Sequence, residues 1–257
     1  MRPITVRGTP LAGGALPAVC VPLVGRTRDA LLREATDAAA LGPDLLEWRA
    51  DHFEAITDID AVVATARAIK AVAPALPLLF TRRAPHEGGE ATAFREDQLV
   101  PLYAAVCARG NVDLVDTEAS GDAGHVAAIR DAAQAAGCTL VLSFHDFQRT
   151  PPLEELVERY RASHRLGAGV AKVAVMPQGT GDVLTLLQAT WRASEVLRIP
   201  VAGMAMGALG AVSRVCGGEF GSALTFAAGR AASAPGQLPL GPLRAALAVL
   251  RGARVGR

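Results

Sequence analysis

The chain is short of net charge, of closely spaced metal ligands, of long apolar runs and of Gly-rich phosphate turns, and each shortage removes a class of function. A formal net charge of +1 over 257 residues gives no electrostatic reason to bind nucleic acid or an anionic membrane surface. A small-molecule ligand is expected instead. The four cysteines, at 20, 107, 138 and 216, and the five histidines are scattered without metal-ligand spacing, so no metal, no disulfide framework and no other cofactor is expected. No uninterrupted apolar stretch reaches the roughly 20 residues of a membrane-spanning helix. The apolar segment from Leu11 to Val24, after Met1-Arg2, has some look of a signal peptide, but Gly13, Gly14, Pro17 and Pro22 interrupt it and no clear cleavage site follows. A cytoplasmic address is expected. No low-complexity linker or charge block marks a boundary, and the length suits one domain over 1–257.

What is present is a rhythm. Short apolar runs bounded by turns recur at 18–24, 45–49, 78–83, 112–116, 139–145, 170–176, 200–204 and 222–226. Helical patterns lie between most of them, at 29–41, 60–72, 97–108, 124–136, 153–166 and 182–197. Thr150-Pro151-Pro152-Leu153-Glu154-Glu155 reads as a helix start, with a hydroxyl cap, proline in the first turn and acids at the positive end of the dipole. Each unit takes about thirty residues, the size of a βαβ element. Eight such strands close most economically into a (β/α)8 TIM barrel; an open doubly wound sheet would more often carry a Gly-rich turn after its first strand, where this chain has only Gly25-Arg26-Thr27. Residues 4–6 are expected to form a short hairpin arm across the barrel bottom.

Lys172 is the only charge in the run from Val170 to Met176, which otherwise reads as a buried strand. Burial disfavours the ammonium and lowers its pKa, making a nucleophile toward carbonyl carbon. A lysine that snorkels or pairs with a carboxylate is the plainer alternative. Side-chain alternation sharpens the choice. With Leu46, Trp48, Leu142, Phe144, Val173 and Val175 directed toward helices, Glu47, Arg49, Ser143, His145 and Lys172 point into the barrel, mostly near the carboxyl ends where barrel active sites sit.

A lysine, a histidine, carboxylates and arginines at one rim suit a lyase working through an imine. The protonated imine is an electron sink for a neighbouring carbanion, and His145 can move protons near neutral pH. Arg49, Arg83 and Arg214 can hold a carboxylate or hydroxyls. Taken singly, each has another reading: His145-Asp146 as a helix cap, Glu47 and Arg49 as a structural ion pair, residues 87–90 as a flexible turn, residues 233–237 as a loop, Met204 and Met206 as core filler.

Together the segments Leu46-Glu47-Trp48-Arg49-Ala50-Asp51-His52-Phe53, Phe80-Thr81-Arg82-Arg83 with Glu87-Gly88-Gly89-Glu90, Ser143-Phe144-His145-Asp146-Phe147, Lys172-Val173-Ala174-Val175-Met176-Pro177, Phe220-Gly221-Ser222-Ala223-Leu224-Thr225-Phe226 and Ala232-Ser233-Ala234-Pro235-Gly236-Gln237 resemble the type I 3-dehydroquinate dehydratases. The resemblance runs from about Ala18 to Leu240. It implies a homodimeric (β/α)8 barrel that converts 3-dehydroquinate to 3-dehydroshikimate in the shikimate pathway, through a lysine imine and syn loss of water, without metal. It implies Lys172 as the imine lysine, His145 as the acid-base group and Glu87 as the acid that orients it. Glu47, Arg49 and Arg83 correspond to groups at the substrate hydroxyls, Arg214 to the carboxylate-binding arginine, and Met204, Met206 and Phe226 to apolar walls. Ser233 and Gln237 correspond to a closing loop, and Asp116 and Glu118 to the family's acidic strand.

The chain departs from that pattern at Thr117 and Ala119, at Phe144, and in the segment from Met204 to Gly210. Phe144 faces the helix layer by parity, so little effect on chemistry is expected. Two rival functions remain: another Schiff-base lyase such as a class I aldolase, and a catalytically silent barrel kept for binding. Arg214 with the 233–237 loop argues against the first, and joint retention of Lys172, His145 and Glu87 against the second.

Overall fold

The computed structural model of the chain describes residues 1–230 and 233–255, the side chains of 254 and 255 excepted. Ala232, which opens the last of the resembling segments, lies outside the described residues. The chain begins with the hairpin arm, β1 (Thr5–Val6) antiparallel to β2 (Thr9–Pro10). Then β3 (Ala18–Leu23), β4 (Leu45–Arg49), β5 (Leu78–Thr81), β6 (Leu114–Glu118), β7 (Thr139–Asp146), β8 (Val170–Val175), β9 (Val201–Ala205) and β10 (Leu224–Ala228) run parallel, each beside its predecessor. β10 returns to pair with β3. The remaining seam is closed by the bridge between Val201 and Ser222 and by the Ala223 N–H, which donates to the Val201 carbonyl at 2.7 Å. The expected barrel is formed, with one addition: β11 (Leu238–Pro239) pairs parallel with the end of β10.

Helices α1 (Arg28–Ala40), α2 (Ile59–Val72), α3 (Leu99–Arg109), α4 (Ala123–Ala135), α5 (Leu153–Arg165), α6 (Thr180–Val196), α7 (Gly207–Cys216) and α8 (Leu240–Val255) form the outer layer. Thr27, Asp58 and Asp122 accept hydrogen bonds from the backbone N–H groups of Ala30, Ala61 and His125, which caps α1, α2 and α4. Thr150 is not a cap, contrary to the sequence expectation. Pro152 stands at that position without a side-chain bond, and the Thr150 hydroxyl donates to the Met176 carbonyl at 3.2 Å, tying the loops after β7 and β8 together. α7 and α8 did not stand out in the sequence, because glycines at 207, 210, 241 and 252 dilute their periodicity. The segment after Met206 is therefore a helix rather than a loop.

The fourth barrel strand begins two residues later than its apolar run suggests. Asp113 immediately precedes it, with its carboxylate accepting from the Leu78 N–H at 2.9 Å and from Lys70 Nζ at 2.7 Å. Asp116 and Glu118 both lie within β6. Outward residues such as Leu46, Trp48, Val115 and Leu142 pack on helices in one large cluster, and Val173 and Val175 in a second. The inner cluster gathers Leu45, Leu79, Leu114, Val141 and Val170 at the strand starts with Ile4, Val6 and Leu11 of the arm. The barrel floor is thus apolar and plugged. Among the described residues no helix is long and apolar enough to cross a membrane.

Candidate active site

Above that floor the inward positions turn polar. Register places Thr81 beside Arg49 on one side and Asp116 on the other, and Ser143 beside Glu118 and Lys172. Parallel strands with alternating side chains therefore set the polar residues of five neighbouring strands into one continuous patch. Every residue expected from the sequence to form the site lines one cavity at the carboxyl end: Lys172, His145, Glu87, Glu47, Arg49, Arg83, Arg214, Met204, Met206, Phe226, Ser233 and Gln237. The cavity encloses about 460 Å³ of empty space out to its mouth.

Lys172 is only 4% exposed and does pair with a carboxylate: its Nζ lies 3.0 Å from Asp116 Oδ2 and 4.8 Å from the centre of the Phe226 ring. Asp116 is shared. Its Oδ1 accepts from Arg83 Nη2 at 2.7 Å and from the Ser143 hydroxyl at 2.6 Å. Burial alone would raise the Asp116 carboxyl pKa, but Arg83 and Lys172 outweigh it and hold the group below its ordinary value. Arg83 also donates through Nη1 to Glu118 at 2.8 Å and to Ser143 at 2.7 Å, and its own pKa is raised against the effect of burial by Asp116, Glu118 and Glu47. Asp116 and Glu118 are in this way the counter-charges of the floor cations. Glu47 accepts from the Thr81 hydroxyl at 2.9 Å through Oε1 and lines the same cavity.

His145 sits at the end of β7, and its ring Nδ1 is 2.9 Å from Glu87 Oε2, which also accepts the His145 backbone N–H at 3.0 Å. A carboxylate at Nδ1 selects the tautomer with the proton there, so Nε2 is the free base. Burial first, then Arg83, Lys172 and Arg49, push the ring pKa well below 6.5, which keeps it neutral near pH 7. Phe147 stacks beside it at 6.5 Å.

Arg49 is held by Asp51, which accepts from Nε at 2.9 Å and Nη2 at 2.8 Å. The Asp51 carboxylate also accepts the backbone N–H groups of Arg83 at 3.3 Å and Glu90 at 3.1 Å. One buried acid thus ties together the end of β4, the end of β5 and the loop that carries Glu87. Sequence reasoning assigned Asp51 no role, and it also passed over Gly88, Phe147, Ala174 and Ala234 in the cavity wall. Alternation from Lys172 identifies Ala174 as inward; nothing local marks the others.

Arg214 differs from the other cations. It projects from α7, is 1% exposed and, among the described residues, meets no carboxylate; Nη2 donates to the Pro235 carbonyl at 3.0 Å, while Nε and Nη1 have no partner there. Burial lowers its pKa to about 10. An unpaired buried guanidinium is costly, and an anion in the cavity removes that cost. The segment beside it is cross-linked by its own side chains: the Ser233 N–H donates to Gln237 Oε1 at 2.9 Å, and Gln237 Nε2 donates to the Ser233 hydroxyl at 3.1 Å. Among the described residues no group of three or more His, Cys, Asp or Glu side chains is placed to hold a metal ion.

Known proteins bear on this arrangement. The family model of type I 3-dehydroquinase matches residues 19–254. The 3-dehydroquinate dehydratase of Albidiferax ferrireducens is 50% identical over 250 residues, 97% of this chain and 95% of the relative. The crystal structure of 3-dehydroquinate dehydratase from Geobacillus kaustophilus superimposes with a TM-score of 0.94 at 44% identity, covering 98% of this chain and 97% of that one. That of the type I enzyme from Clostridium difficile, solved with covalently modified comenic acid, gives 0.92 at 34% identity and covers 98% of each. With nearly its whole length matched, the chain belongs to the type I 3-dehydroquinase family, its activity that of a 3-dehydroquinate dehydratase, a hydro-lyase.

Proposed function

We propose that the chain, as one domain over 1–257, removes water from 3-dehydroquinate through a Schiff base on Lys172. The observation that carries this reading is the convergence in one cavity of a buried amine, a neutral imidazole held by a carboxylate and a guanidinium with two unused donors. The substrate carboxylate pairs with Arg214, which orients the ketone toward Lys172. Lys172 gives one ammonium proton to His145 Nε2 and adds through the freed lone pair to the ketone carbon; a second nitrogen proton passes to the oxygen, and the carbinolamine hydroxyl leaves as water with the proton returned from His145, giving an iminium. The positive charge stays opposite Asp116, the counter-charge of the ammonium it replaces. His145 Nε2 takes the proton from the adjacent carbon, and the released pair flows into the iminium to form an enamine. The enamine then expels the β-hydroxyl, which leaves as water with the proton from His145. Hydrolysis of the conjugated imine consumes one water, releases 3-dehydroshikimate and restores the amine, so one water is lost overall. The iminium is itself the electron sink, and no metal or organic cofactor enters the balance.

Glu47 and Arg49 take substrate hydroxyls through Oε2 and Nη1, with Arg83 lining the floor beside them. Met204, Met206 and Phe226 supply apolar walls, and Ser233 and Gln237 hold the closing loop. The covalent modification in the Clostridium difficile relative supports a nucleophile in this site. Family membership supports a place in the shikimate pathway, in the cytoplasm, as a homodimer. Exposed Leu184, Trp191, Leu209 and Val212 on α6 and α7 supply apolar surface for a second copy. Borohydride reduction with 3-dehydroquinate present is expected to fix ligand on Lys172, read by peptide mass spectrometry. Lys172→Met is expected to lose both labelling and turnover. Labelling at another residue, or normal turnover by the variant, refutes the imine.

A further inference from the structure

Ser120 lies in the turn after β6, exposed as a residue and without a place in the reading above. Its hydroxyl nonetheless reaches inward and donates to Glu87 Oε1 at 2.6 Å, the shortest contact that Glu87 makes. The other oxygen of the same carboxylate, Oε2, takes both the backbone N–H and Nδ1 of His145. Ser120, Glu87 and His145 therefore form one chain of hydrogen bonds that runs from the surface to the catalytic imidazole and ends at its free Nε2.

We propose that Ser120 is a positioning residue for the dehydration, acting through Glu87 to keep its carboxylate ionised and turned so that His145 presents Nε2 as a base. The inference rests on the proposed roles of His145 and Glu87. Glu87 is buried, and burial favours its neutral acid; a protonated Oε2 can no longer accept from Nδ1, which leaves the imidazole in either tautomer. The charged groups facing Glu87 come from three strands. Arg83 at the end of β5 favours the carboxylate, Glu118 on β6 opposes it, and His145 on β7 supports it through its backbone N–H. Burial is the strongest influence and leaves the Glu87 pKa above its ordinary value, with the Ser120 hydroxyl the largest opposing one. A hydroxyl donates only while its partner has a lone pair to offer in that direction, so the bond also selects the rotamer of Glu87. Ser120 can do this from an exposed turn because the turn is pinned where the Gly121 N–H donates to the Glu118 carbonyl, at 3.3 Å.

The test is the pH profile of kcat for the full-length enzyme with 3-dehydroquinate, comparing Ser120→Ala, Ser120→Thr, Glu87→Gln and His145→Ala with wild type. Loss of the donor raises the proton affinity of Glu87, so the acid limb of Ser120→Ala is expected about one unit higher in pH, with KM little changed. That limb belongs to the coupled Glu87 and His145 pair rather than to either group. Ser120→Thr keeps the hydroxyl and is expected to track wild type. A Ser120→Ala profile superimposed on wild type, while Glu87→Gln and His145→Ala lose turnover, refutes the role of Ser120 and leaves the base intact. A pH-independent loss in Ser120→Ala that Thr does not rescue marks a merely structural contact and refutes it too. Near-normal turnover by His145→Ala removes the base itself, and Ser120 with it.

Discussion

Arg214 shows how one residue can be recognised by what it lacks. Arg49 and Arg83 are paired with Asp51, Asp116 and Glu118, and Lys172 with Asp116, whereas two buried nitrogens of Arg214 have no partner among the described residues. A carboxylate remote from the breaking bonds is held alike in the ground and transition states, so removing its partner acts mainly on KM. Arg214→Ala is expected to lose about 2–5 kcal/mol of binding, a KM increase of roughly thirtyfold or more, with a smaller change in kcat. An unchanged KM in steady-state kinetics refutes the carboxylate role. Arg214→Lys is expected to recover little, because an ammonium lacks the planar fork that serves Pro235 and a carboxylate together.

At the scale of elements, the turn after β5 is as important as the strands. Gly88 adopts a left-handed φ of 84°, and a Cβ placed there would lie 2.3 Å from the Phe147 ring, which stacks beside His145. Backbone strain and steric overlap therefore act on the same small region that holds Glu87 against the imidazole. Left-handed geometry alone costs a non-glycine residue about 1–2 kcal/mol. Gly88→Ala is expected to lower the thermal midpoint by several degrees and to lower kcat more than KM. A variant with wild-type kcat shows that the turn tolerates the methyl and that Phe147 can move freely. On β6 the register that sets Asp116 beside Thr81 and Glu118 beside Ser143 brings both carboxylates to the heights where Arg83 and Lys172 need counter-charges.

The whole molecule carries a signed pH dependence. His145 folds with its pKa well below 6.5, whereas the unfolded ring binds its proton near that value. Stability from this group is present above about pH 6.5 and is lost as pH falls below it. Asp51 and Asp116 have lowered folded values, so their contribution is present above about pH 4 and disappears as pH falls through those values. Glu87, with a raised value, acts in the opposite sense. Wild-type stability is expected to fall in two stages, and His145→Ala to lose less unfolding free energy than wild type between pH 7 and 5. Parallel declines in urea titrations of the two proteins contradict a buried neutral imidazole.

The eight-strand rhythm and the inward parity of Glu47, Arg49, Ser143, His145 and Lys172 were legible in the amino-acid sequence, because alternation along a strand is a local property with a period of two. The family motifs carried the rest of the site, down to Ser233 and Gln237. α7 and α8 were not legible, since glycine-diluted helices hide their period, and neither was the capture of Thr150 by the Met176 carbonyl. Only the tertiary structure decided which charges cancel. The partners of Arg83 lie 33 to 60 residues away and those of Lys172 56 away, and whether they meet at 2.7 Å or face an empty cavity depends on strand stagger and barrel closure. Stagger and closure are set by the packing of all eight strands at once, which is why the sequence marked Arg214 for a carboxylate only through the family resemblance and gave Ser120 no role, while the fold leaves the Arg214 guanidinium without a carboxylate among the described residues and brings one surface hydroxyl to Glu87.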